Sequence, residues 1–203
     1  LTLNDASSKL LLNSITVDNV STSSGSLGLD VDNDSTVSSL SVAYITPVSI
    51  ASGKTLSGAI TVTAGSIKLA ETGTLASTIA MSGGTLDADN SSTLSGTLTQ
   101  SGDIVIDVAD NKTLTYSGTA ISLGANTLTL IGGGTLSNTN ALVLNDADSL
   151  LTLAGILTIG DVEGTAASNS GKGILVTSSA TLGDYDLSAV SYLSLAANQT
   201  LAG

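Results

Sequence analysis

Apolar and polar residues alternate along this chain in short pieces, and the pieces recur. Ile60-Thr61-Val62 and Ile67-Lys68-Leu69 are two of them, separated by small and polar residues. Alternation with a period of two marks strands with one face buried, and no segment keeps helical spacing over a useful length. A Thr-Leu pair returns through the middle of the chain and places Leu56, Leu75, Leu94, Leu114 and Leu136 at intervals of 19, 19, 20 and 22 residues. Self-similarity at such a period marks a solenoid, in which each repeat is one coil stacked on the last. Thr113-Leu114-Thr115, Ile121-Ser122-Leu123 and Leu128-Thr129-Leu130 give three short strands to about 20 residues. The pattern predicts a parallel β-solenoid with a three-sided section, its like side chains lying one above another. An antiparallel sandwich would need hairpin dipeptides such as Asn-Gly or Asp-Gly, and the chain has none. At one coil per strand spacing, nine or ten coils make a rod about 45 Å long.

Local punctuation refines this picture. Ser21 to Ser26 reads as a Ser/Thr/Gly loop and Leu27 to Val31 as a strand. Pro47, the single proline, lacks a ladder donor and is expected at a corner.

A longer period overlies the short one. Leu142 to Leu153 matches Leu1 to Leu12 at eight of twelve positions, at an offset of 141. Further on the offset is 145, and Gly28, Val31 and Thr36 face Gly173, Val176 and Thr181. Leu56 and Gly58 face Leu201 and Gly203 in the same register. Residues 1–58 and 142–203 are thus two copies of one unit flanking a middle section, 59–141, all within one solenoid domain. The chain starts and stops inside this pattern without a polar cap, so Leu1, Leu3, Leu201 and Gly203 are candidates for end-to-end stacking on further copies or flanking repeats.

Composition narrows the function. Hydrophobic residues make up 41% of the chain but aromatic residues only 2%, which suits a narrow core of aliphatic ladders. The net charge is −12, Arg is absent and the five lysines are scattered, so the phosphate contacts of nucleic-acid binding and attraction to anionic lipid have no basis. No apolar run is long enough to insert in a membrane, and any export signal or anchor is expected outside this segment. Cys and His are both absent. That removes disulfides, thiolate chemistry, a Ser-His-Asp arrangement and an ordinary zinc site.

Thr-Leu-Ser-Gly at 93–96, Gly-Gly-Gly-Thr-Leu-Ser at 132–137 and Asn-Asp-Ala-Asp-Ser-Leu-Leu-Thr-Leu-Ala-Gly at 145–155 resemble the repeats of large bacterial surface proteins. These include autotransporter passenger domains and filamentous-haemagglutinin-like adhesins, and the likeness extends over essentially the whole chain. The resemblance implies a right-handed parallel β-helix, exported and displayed at the bacterial cell surface. It implies a filament, stalk or adhesin that works by extension and multivalent contact, with a glycan or cell-surface receptor as partner. It carries over no catalytic residue.

Candidate chemistry is sparse, and the reading is a non-enzymatic chain without a cofactor. Asp103 with Asp107, or Asp184 with Asp186, would be the carboxylate pair of a carbohydrate-active alternative. Asp30, Asp32 and Asp34 resemble the opening of a calcium loop but lack its Gly and distal Glu. Ice binding by flat Thr-x-Thr arrays is a third alternative. Those tripeptides start at Thr61, Thr97, Thr113 and Thr127, at spacings that do not place one per coil on one face.

Overall fold

Among the described residues the period-two pieces become 25 strands with no helix between them, and every pairing is parallel. The computed structural model describes residues 1–24, 28–44, 46–70, 72–155 and 158–203. The expected strand from Leu27 begins at Gly28, and Leu27 itself lies outside the described residues, as do Gly25 and Ser26 of the expected loop. Ser21 and Thr22 belong not to that loop but to the strand Thr16–Thr22.

The chain visits three faces in a fixed order. In the first coil these are Thr2–Leu3, then Lys9–Leu12, then the start of Thr16–Thr22, whose end returns to the first face one coil on. The second face is a ten-stranded sheet, one rung per coil, ending at Leu193–Leu195. The third face runs into the first without a break where a strand is long, as in Thr55–Val62, and these two faces form one bent sheet of 15 strands. Ten coils at the spacing of parallel strands reach roughly 45 Å.

One apolar core threads the first nine coils, and Leu187, Val190 and Leu201 of the tenth pack against it partly buried. Its side chains are almost wholly aliphatic, from Leu3 to Leu182, and are at most 4% exposed. Alternate residues of each strand point into it, as in Thr127–Ile131, where Leu128 and Leu130 are buried. Ladders of Ile106, Leu130, Leu153 and Val176 put like over like, with each rung supplying the backbone partners of the next.

Corners fall where the backbone needs glycine. At Gly28 φ is +83°, and a Cβ would lie 1.9 Å from the carbonyl oxygen of Pro47 in the coil above. Gly132, at the head of the triple glycine, has φ +86° and stands as close to Val108. Pro47 departs from expectation: it is the second residue of the strand Thr46–Ile50. Its missing N–H is tolerated because the ladder to the preceding coil starts one residue later, at Leu29 and Val48.

The long repeat is in phase with the coils. Residues 1–58 form the first three coils and 142–203 the last three, so one unit spans seven coils. Corresponding turns even keep the same hydrogen bonds. The Ser8 amide donates to the Asp5 carbonyl, as Ser149 does to Asp146. The Lys54 amide donates to Ala51, as Gln199 does to Ala196. Gly28 and Gly173 both open a second-face strand with positive φ.

Candidate functional surfaces

The solenoid holds its surface side chains on rungs, so the geometry of any site is set by register. The expected leucine column is one place where register departs from sequence. Leu56, Leu75 and Leu94 stack as expected. Leu94 then faces Tyr116, while Leu114 faces Ser92 and stacks under Leu136. The column therefore breaks into two, offset by two residues. The cause is the interval of 22 residues from Leu94 to Tyr116, which shifts the next strand along the face.

Tyr116 is 1% exposed, whereas Tyr44, Tyr185 and Tyr192 stand out into solvent. Its hydroxyl accepts from the Leu98 amide (3.1 Å) and donates to the Thr119 carbonyl (2.6 Å). Asn138, the next residue of the same inward column, donates to the Asp161 and Asn140 carbonyls and accepts from the Gly160 amide. Both side chains satisfy backbone groups at the bend between the third face and the first. Nothing in the period distinguishes them from the leucines below.

Of the two candidate acid pairs, Asp103 and Asp107 are held apart, whereas Asp184 and Asp186 lie roughly 7 Å apart along one strand. Asp103 precedes the strand Ile104–Val108, is exposed and accepts from the Thr127 amide at 2.7 Å. Asp107 lies four residues along the same extended segment, on the order of 13 Å away. Facing glycosidase carboxylates sit about 5–9.5 Å apart. Asp184 and Asp186 share the outer side of the strand Ala180–Asp186 and pair in register with Asp161 and Glu163. Asp184 accepts from the Tyr185 amide and Asp186 from the Ser188 amide. The bonds from Ser188 hold the Asp186 carboxyl below its ordinary range. That is the wrong direction for a general acid.

Asp30, Asp32 and Asp34 likewise do not converge. Asp30 pairs with Lys9 across the second face, Asp32 is exposed in the turn, and Asp34 accepts from the Thr55 amide at 2.8 Å. Among the described residues no group of three or more acids is placed to hold a metal ion.

Another charged cluster escaped the sequence reading. On the second face Lys68, Asp87 and Asp107 lie on successive rungs, with Asp89 beside them. The Lys68 ammonium is 2.7 Å from Asp89 and 3.4 Å from Asp87. Partial burial pushes the Asp87 carboxyl up, with Lys68 pulling the other way. Burial also raises Asp107, and the charge of Asp89 adds to it. The hydrogen bond to Asp89 raises Lys68. The spacing of 19 and 20 residues was the signal that could have found this column.

The Thr-x-Thr tripeptides fall on all three faces, Thr61 and Thr97 on the first, Thr113 on the third and Thr127 on the second. The threonines that precede an inward residue of the third face behave differently. Thr55, Thr74, Thr93 and Thr115 form one outward column of the third face, and Thr113, Thr135, Thr158 and Thr181 another. Stacked threonines thus follow the coil repeat of the third face and not the tripeptides.

At the last coil a hollow of about 230 Å³ is lined by Leu182, Tyr185, Leu187, Leu193, Leu195, Leu201, Ala202 and Gly203. Leu193 and Leu195 continue the ladders of Ile174 and Val176, yet are 50% and 43% exposed because no rung lies above them. At the other end Leu1 is 63% exposed. Leu3, also expected to be open for stacking, is buried at 4% against the coil that follows.

Fold and surface together define a parallel β-solenoid repeat protein. No family model matches this chain, and no curated protein or solved structure matches it either. Among the described residues no helix is long and apolar enough to cross a membrane.

Proposed function

We propose that this chain is a stretch of a long extracellular β-solenoid at a bacterial surface, a stalk, filament or adhesin that works by extension and multivalent contact rather than by catalysis. The observation that carries this reading is the match between the long repeat and the coil. Seven coils make one unit, and corresponding turns keep their hydrogen bonds, so successive units add to the rod without a change of phase. In this reading further coils come from flanking repeats or from further copies of the chain. A unit of seven coils advances the rod by roughly 34 Å. Contacts with glycans or a cell-surface receptor would repeat at that interval, gaining avidity from number.

Antibody against the folded chain tests the location, and the mass of the native protein against its denatured polypeptide tests the length. The antibody is expected to label intact cells, and the native particle to be much larger than 203 residues. Labelling only after lysis, or a compact native monomer of this size, would overturn the reading.

A further inference from the structure

We propose that the rod has a built-in seam between its sixth and seventh coils, at which the first face opens while the other two stay laddered. On that face the rungs Ile60, Ile79 and Leu98 are joined in register, and so are Ile121, Leu142, Val162 and Tyr185. Between Leu98–Gln100 and Ile121–Ser122, among the described residues, no ladder forms. The second face stays joined across the same junction through Ile104 and Leu128, and the third through Thr113 and Thr135.

Side chains stand in for the missing backbone bonds. The Leu98 amide donates to the phenol of Tyr116 at 3.1 Å, and that phenol donates to the Thr119 carbonyl of the corner. Gln100 donates to the Leu123 carbonyl at a long 3.4 Å. Its Oε1 is buried with no hydrogen-bond partner among the described residues. Gln100 occupies the inward column that Val62 and Met81 fill in the coils before it. A polar side chain with an unmet acceptor thus replaces an aliphatic one beside the gap, which weakens the closed state there and nowhere else in the column.

A break on one face with two intact faces behind it is a hinge. Sub-global openings of this kind are read by native-state hydrogen exchange. The inference is independent of where the rod is displayed, because it concerns the chain in solution.

Amide exchange resolved to single residues tests it on the unmodified chain. The comparators are the Ile79 and Ile121 amides, which bond to backbone carbonyls across the neighbouring junctions. Leu98 is expected to exchange about tenfold faster than either. Tyr116→Phe is expected to speed Leu98 by about another tenfold and leave the comparators unchanged, and Gln100→Leu to slow it. Native proteolysis adds a reading that needs no variant. The corner 117–120 is expected to be cut before the equivalent corners 95–97 and 139–141. Protection of Leu98 equal to that of Ile79 and Ile121, or first cleavage at another corner, would overturn the seam.

Discussion

At the residue scale, the polar side chains inside the solenoid are the informative ones. A leucine in a ladder needs only neighbours, and its loss leaves a hole. Leu75→Ala, at a site with no exposure, is expected to cost about 2–5 kcal/mol in chemical denaturation. Asn138 is different, because its amide serves three backbone groups at one bend. Asn138→Leu keeps the volume but leaves those groups unmet, and is expected to destabilise by about 2–3 kcal/mol. A change below about 0.5 kcal/mol would mean that water replaces the side chain. Gly28 shows the same economy of space, since a Cβ there has only the Pro47 carbonyl to meet.

At the scale of strands, the outward columns decide the electrostatics. Asp87 and Asp107 are carried to successive rungs of a half-buried face, and their carboxyls are raised by burial. A carboxyl raised in the folded state contributes stability that is fully present below its unfolded value, about 3.9. That contribution is lost as the pH climbs through the raised value. Asp5 and Asp186 act in the opposite sense. Hydrogen bonds from Ser7 and Ser188 lower them, so their contribution is present above the unfolded value and lost on acidification. Both are fully exposed, and the second-face pair is expected to govern the difference between wild type and variant. Asp107→Asn should raise Tm at neutral pH by about 1–2 °C, and the gain should shrink as the pH falls through the raised carboxyl range. A variant that melts below the wild type at pH 7 would show that this charge earns more from Lys68 than it loses on burial.

At the scale of the whole molecule, stability is a sum over rungs, and the coil is the unit of deletion as well as of repetition. Ile60 and Ile79 are register partners, so removing residues 60–78 joins Ala59 to the start of an equivalent rung. The shortened chain is expected to keep its β-sheet circular dichroism and a cooperative melt. Removing residues 60–69 takes away part of a coil, turns inward side chains onto the wrong faces and is expected to abolish that melt. Equal tolerance of the two deletions would argue against stacked coils.

Sequence alone determined the coil and its three strands, because backbone pairing and side-chain alternation are periodic and a period is written directly in residue order. It located the inward leucines for the same reason. Register between coils was decided only in three dimensions, since a corner of one or two extra residues slides one rung against the next. That sliding put Leu94 beside Tyr116, and one junction of the first face is left unladdered. Periodicity fixes what each coil is, whereas contacts between coils depend on loop lengths whose conformations the period does not encode.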